Sequence, residues 1–573
     1  MNRFLLGIIL FISLFLNIWG IWGGLPSKER TNLVFSESQI KGLSKIMKET
    51  RDEIYQRTEY FGSGPVGFKN EMYRITLDGI EHEISKFHIG SARSFLIRSC
   101  YPDEQAVLAS LGNMNPSKLD FNPHMFSYGG LYIYLIGFSI KIAALLNLLT
   151  LTPDTTYYFL HPGEMGKFFV IGRLVGALIG VLAIYIIYLI GSFLYDKRTG
   201  LIAGLFLSLL PAVIIYAHYL KPYVFNLFFF LLSFYWTCKV LYSDKISNYI
   251  LAGLFAGIAG GILLPFGTIF ICIPIAHLIK RISTKISIRS LFEKSIILSI
   301  LSAIIGFIIV NPYLLVSLKE AFSEYMFLSR CVPPNFSFDR ILSYSKVSLP
   351  AGFGLPLFVV VIAGILYSFY KREKIDYLIL SYIIPLFFFI TATTYRFIHY
   401  GIYILPFLIL LSARVLGIGL KGGRMIRHIT LIIILFVSIY TFLYSLSYDR
   451  VFAGRDIKTE AGKWIVKNIE KGESIGFRRE PTPYAHPPIN ILEYKVSWID
   501  ENGRIDPLPK YFVESENDSI PDGFRSILKF QYCEIKRFER HPEVFGVKLF
   551  FGKNYPWWWK TPNPDILLYK RLR

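Results

Sequence analysis

Charge is scarce in this chain: 18% of its 573 residues are Asp, Glu, Lys or Arg, against 53% hydrophobic. That balance excludes an ordinary soluble enzyme, which needs a polar surface around its core. Cysteine is sparse as well. The five residues, Cys100, Cys238, Cys272, Cys331 and Cys533, have no spacing that fits a zinc site. Small residues suited to signal-peptide cleavage are missing after the first apolar run, where Trp19, Trp22 and Gly24 stand, so residues 4–22 read as a retained helix. Short-period repeats and low-complexity tracts are absent too.

What the chain has instead is a succession of long uncharged runs and a mean hydropathy of +0.44, the composition of an α-helical polytopic membrane protein. The net charge of +20 would point to nucleic acid in a soluble domain. Here Lys and Arg gather in short loops between apolar runs, so the excess is a topology signal and no nucleic-acid partner is expected. Arg3, Lys197-Arg198, Lys245, the run Lys280 to Lys294, Lys371-Arg372-Lys374, and Lys421, Arg424 and Arg427 all fall inside under the positive-inside rule. That map predicts about eleven transmembrane helices. It divides the chain into a membrane domain, 1–447, and a small extracytoplasmic α/β domain, 448–573.

Residues 24–167 then form a large first outer loop. Within it the apolar run 131–150 is read as an interfacial helix, because counting it as a span would invert every later loop. Ile40, Leu43, Ile46 and Met47 recur at helical spacing and predict an amphipathic helix, on the membrane surface or against a small core. In the tail, Ile457, Ala461, Trp464, Ile465 and Ile469 share a helical face, Gly472 ends that helix, and strands are predicted near 473–477 and 492–499. Cys100 and Cys331 both fall outside, where a disulfide would tie two outer loops; unpaired thiols are the preferred reading.

The candidate chemistry centres on Tyr101-Pro102-Asp103-Glu104. Pro and carboxylates at a helix start have a structural explanation in the free N–H groups of the first turn. The surroundings, His124 in Asn122-Pro123-His124 and the aromatic run from Tyr128, place the acidic pair at membrane level, where desolvation is expected to raise its basicity. Cationic or polar groups at the outer ends of other spans, Arg173, His218, Lys221, Arg396, His399 and Tyr400, are the candidate substrate-binding residues. Lys167 also falls on this side, where it can simply snorkel to headgroups.

The segment YPDEQAVLASLGNMNPSKLDFNPHMFSYGGLYIYLIG, with FIIVNPYLL at 307–315 and RFIHYGIYILPFLILLSA at 396–413, resembles the C-type (GT-C) glycosyltransferases that use polyprenyl-phosphate sugars. The closest likeness is to the dolichyl-phosphate-mannose protein mannosyltransferase-like branch. The resemblance implies a GT-C-like fold and transfer of a hexose, mannose above all, from a polyprenyl or dolichyl monophosphate to a hydroxyl on a protein, glycan or glycolipid, with inversion. Asp103 would be the general base, and Glu104 would orient the acceptor or hold Asp103. Membrane lipids would surround the site, and the lipid tail would lie in an apolar groove beneath it. The resemblance names no certain cofactor and leaves a divalent metal open. Two departures stand out: Tyr223 occupies a position where many relatives carry Asp, and His399-Tyr400 replaces an Arg-Tyr pair. A lipid-linked sugar transporter, or a non-catalytic glycolipid-binding assembly protein, is the alternative.

Overall fold

The computed structural model describes residues 2–56, 72–77, 79–281, 293–331, 333, 335–392, 398–500, 503–549 and 563–572. Among these, five helical segments are long and apolar enough to cross a membrane: Pro162–Leu194, Pro222–Tyr242, Leu264–Arg281, Lys374–Thr391 and Arg424–Asn468. Two bent pairs, Lys197–Ser208 with Pro211–Ala217 at 53° and Phe338–Phe353 with Leu355–Lys371 at 114°, raise the number to seven. The protein is a helical, multi-pass membrane protein. Each bend has a local cause. Pro211 brings no backbone N–H to the helix it interrupts, and Gly354, at φ 77°, takes a conformation that a side chain disfavours.

Five further apolar helices, Asn2–Ile18, Gly130–Leu145, Ile246–Ile262, Lys294–Val310 and Leu405–Gly419, are shorter. Ile246–Ile262 packs against Lys294–Val310 through Gly253, Gly257 and Gly261, one residue per turn. A Cβ at Gly257 would land on the Ala303 carbonyl. In lipid, burial adds little drive between helices, so such close backbone approach supplies the attraction.

Gly130–Leu145 has 16 residues, short of the roughly 20 needed to span. It buries Tyr132, Ile133, Ile136 and Ile140 and leaves Phe138, Ile142 and Leu145 exposed. The amphipathic stretch forms the helix Glu37–Gln56. Ile40, Leu43 and Met47 are buried in one core with Ile89, Leu96 and Tyr132, so of the two readings this is the core helix. An antiparallel hairpin, β1 (Met72–Leu77) and β2 (Ile80–Ser85), joins that region; its signal, Tyr73, Ile75 and Leu77 alternating with Arg74 and Thr76 ahead of Asp78-Gly79, is one that the sequence reading passed over. All five cysteines are free thiols, and Cys100 is buried, so the Cys100–Cys331 link is not formed.

The tail folds as a mixed five-stranded sheet of order β4-β3-β5-β7-β6, with β3 Ser474–Phe477, β4 Lys495–Trp498, β5 Tyr511–Ser515, β6 Tyr532–Phe538 and β7 Ile566–Arg571. β3 pairs in parallel with β4 and β5, while β7 runs antiparallel to β5 and β6. Side chains alternate across the sheet. Tyr511 and Val513 join the core under the Ile457–Asn468 helix, and Phe512 faces the opposite core with Phe524 and Leu528 of the Asp522–Gln531 helix.

Candidate active site

Pro102 and Asp103 lead into the helix Glu104–Asn113, so Asp103 stands at its N-cap. A capping carboxylate would accept from the N–H groups of the first turn. Asp103 does not: it makes no side-chain cap bond and sits at φ 66°, in the left-handed region. Its carboxylate lies 2.9 Å from Lys221 Nζ, with the Asp103 side chain 64% exposed and the lysine 12%. A strained, outward-facing acid backed by a buried ammonium is an arrangement that helix stability alone does not require.

Glu104 is placed differently. Its side chain and that of Arg173 are both fully buried. Arg173 donates from Nε to Oε1 at 2.9 Å and from Nη2 to Oε2 at 2.7 Å, a two-pronged pair. Glu104 also accepts from the Leu220 N–H at 2.6 Å and from the Ser99 hydroxyl. The other arm of Arg173 donates to the carbonyls of Ile21 (2.6 Å) and Gly23 (2.9 Å), and the guanidinium lies 4.5 Å from the centre of the Tyr101 ring. Every contact ties the Asp103 turn to the end of the first helix and to the turn bearing Lys221. The Arg173 guanidinium is therefore buried and engaged by protein groups, where the sequence reading expected it beside a phosphate.

His218 is likewise enclosed. Its ring nitrogens lie 2.8 Å from the Ile214 carbonyl and 2.9 Å from that of Trp19, and its ring stacks on Phe452 at 4.6 Å. It fixes the turn three residues before Lys221 and presents no face to the site. His124, at φ 47°, pairs with Glu320 at 3.0 Å. His399 is 8% exposed, 2.8 Å from the Tyr216 hydroxyl, with its ring 4.7 Å from Tyr223 and 4.3 Å from Tyr400. Lys221 is within electrostatic reach of His399. Arg396 lies outside the described residues.

The residues brought together are thus Asp103, Lys221, His399 and Tyr400, joined by Tyr128, which the sequence reading named only as the start of an aromatic run, and by Tyr216, which it did not single out. Tyr223 and Tyr128 both lie in reach of the Asp103 charge. Lys221 holds the Asp103 carboxyl below its ordinary range, the reverse of the expected rise, because a nearby cation outweighs the partial loss of water. Burial, reinforced by the Asp103 charge, pushes the Tyr128 phenol well up. Lys221→Ala is accordingly expected to raise the Asp103 pKa. If the ionised carboxylate is the working form, the acid limb of the transfer rate, which falls as pH drops through that pKa, should shift to higher pH in the variant. A pH–rate profile of both proteins checks it.

The donor set suits a divalent metal poorly. Asp103 is paired with a lysine and Glu104 with an arginine, and Tyr223 stands where another acid was expected. In the tail, Glu539, His541 and Asp565 each bring a ligand atom within 4.8 Å of the others, but Glu539 already accepts from Arg537 at 3.1 Å.

Residues 165–316 match the family described as dolichyl-phosphate-mannose-protein mannosyltransferase. Over that segment the chain is similar to this family. Arg173, His218 and Lys221 lie within the matched part. Among curated proteins, no sequence matches. Solved structures that resemble it include the apo oligosaccharyltransferase of Archaeoglobus fulgidus, 14% identical, covering 90% of this chain and 70% of that one at a TM-score of 0.45. ArnT of Cupriavidus metallidurans bound to undecaprenyl phosphate is 11% identical, covering 99% and 97% at 0.42. The A. fulgidus enzyme with Zn and sulfate is 15% identical, covering 64% of this chain at 0.38; the chain spans 54% of that one.

Proposed function

We propose that this glycosyltransferase moves a hexose, mannose in the first instance, from a polyprenyl monophosphate to an acceptor hydroxyl at the outer face of the membrane, with inversion. The observation that carries the reading is the departure of Asp103 from its capping geometry toward Lys221. The acceptor oxygen attacks the anomeric carbon, its proton passes to Asp103, and the bond from that carbon to the phosphate oxygen breaks. The leaving polyprenyl phosphate gains negative charge, which Lys221 is placed to receive. As Lys221 turns from Asp103 to the phosphate, the carboxylate loses its cation and becomes a stronger base at the moment a base is needed.

Glu104 and Arg173 position this turn. Tyr400 and His399 line the site beside Lys221, with Arg396 as a further phosphate contact. The apolar groove between Ile246–Ile262 and Lys294–Val310, about 350 Å³ and lined by Gly260, Leu264, Phe270, Ala303 and Phe307, suits the lipid tail. No step is assigned to a metal. Purified protein in vesicles with undecaprenyl-phosphate mannose should release free undecaprenyl phosphate when membrane extract supplies acceptors. Release from neither this donor nor its glucose and galactose counterparts would overturn the reading.

Eleven crossings complete the proposal: the seven long or bent spans and the short apolar helices other than Gly130–Leu145, with 24–167 and the tail outside. Cys331 and Cys533 are exposed and fall on the outer side. A membrane-impermeant maleimide should label both in intact cells. A cysteine introduced as Lys245→Cys should react only after permeabilisation, and labelling of Lys245→Cys in intact cells would contradict the map.

A further inference from the structure

Segment 121–130 carries Tyr128 within electrostatic reach of Asp103, and its backbone is held by a helix that the sequence reading did not single out. After the Lys294–Val310 helix, the chain forms Leu318–Cys331. Ser317, Glu320 and Glu324 lie three and four residues apart, on one face. Asn122 Nδ2 donates to Ser317 Oγ at 3.0 Å, His124 pairs with Glu320, and Tyr325 donates its hydroxyl proton to the Phe126 carbonyl at 2.8 Å. Farther along, the Gly130 N–H donates to Asn311 Oδ1 at 2.9 Å. On the other side of the helix Leu318, Phe322 and Met326 are exposed, so it lies with an apolar face outward and an acidic face on the segment.

Glu324 is the centre of this clasp. Its side chain is buried, and its two oxygens accept from consecutive amides, Phe126 N–H at 2.6 Å and Ser127 N–H at 2.9 Å. Burial raises its pKa, although these amides work in the opposite direction. A buried carboxylate whose two oxygens accept from consecutive amides, with the Ser127 side chain also bound, spends its desolvation on fixing those two peptides. The next residue is Tyr128, followed by Gly129, itself bonded to Ile262. Tyr128 is therefore pinned from both sides while its ring lies in reach of Asp103 and Tyr400.

We propose that Glu324 is the positioning residue of the donor-sugar pocket: by fixing the Phe126 and Ser127 amides it holds Tyr128 on the side of Asp103, and Tyr128 grades one hexose against another. The inference rests on the reading of Asp103 and Lys221 as the transfer site. A misplaced aromatic ring would still admit the lipid phosphate, which Lys221 holds, but would lose its fit to the sugar hydroxyls.

The test uses the full chain, purified, with undecaprenyl-phosphate mannose and undecaprenyl-phosphate glucose as donors. Glu324→Gln, which keeps one acceptor oxygen of two, and Tyr128→Phe should each cut the ratio of kcat/KM between these donors about tenfold, through KM more than kcat. Glu324→Asp should recover part of that ratio, and sugar-free undecaprenyl phosphate should bind all variants as it binds the native chain. Hydrogen exchange should show lost protection at Phe126 and Ser127 in Glu324→Gln, with the spans unchanged. Native exchange in that variant would overturn the clasp. Lost protection with an unchanged donor ratio would overturn the positioning role, leaving a structural one. A native chain that transfers from neither donor, nor from the galactose counterpart, would overturn the functional reading, and the role of Glu324 with it, whatever the exchange shows.

Discussion

Arg173→Ala is expected to cost the protein its fold before it costs it a ligand. Removing the guanidinium leaves the Glu104 carboxylate buried without its cation and frees the Ile21 and Gly23 carbonyls of their donor. Breaking a buried pair by deleting one partner typically destabilises by about 3–5 kcal/mol, since the surviving charge is stranded. The expected result is a sharp drop in yield of monodisperse protein and in the apparent melting temperature. Arg173→Lys should recover little, because a single ammonium cannot reproduce the paired donation to Glu104 while also reaching two carbonyls. Material that does fold should still bind undecaprenyl phosphate. A stable Arg173→Ala protein with weakened binding would return Arg173 to the phosphate.

The helical, multi-pass character was legible because it depends on apolar run length, which is written along the chain. The tail was legible for a similar reason: Ala461, Ile465 and Ile469 fall on one helical face, and they are buried in one core with residues of β3 and β5. Asp103 and Glu104 were legible as a pair, but their division of labour was not. Adjacent residues at a helix start point in different directions, and only the fold decides that one meets Lys221 at the surface and the other Arg173 in the interior. Arg173 and His218 looked like ligands for the same reason, since a polar residue in apolar sequence is either functional or fully satisfied by distant carbonyls. Glu324 was missed because its partners are backbone amides nearly two hundred residues earlier. The spacing of Ser317, Glu320 and Glu324 on one helical face was the available signal.

The second large effect is expected at Asp103. Asp103→Asn is nearly isosteric, keeps a hydrogen-bond acceptor toward Lys221, and removes the ability to take a proton. General-base assistance contributes about a hundredfold or more, so transfer should fall by at least that factor while the fold and lipid-phosphate binding persist. The left-handed backbone at this position favours the substitution, as Asn tolerates that conformation as well as Asp does. Asp103→Glu should also fall, because the added methylene moves the carboxylate away from the attacking oxygen while preserving its charge. The most direct measurement is single-turnover transfer from a preformed undecaprenyl-phosphate mannose complex, comparing native protein with Asp103→Asn across pH. A rate reduced by two orders of magnitude or more, with the acid limb seen in the native profile gone and donor occupancy unchanged, is the predicted result. Native rates in Asp103→Asn, with the same pH dependence, would contradict the account and leave Asp103 as the start of a helix.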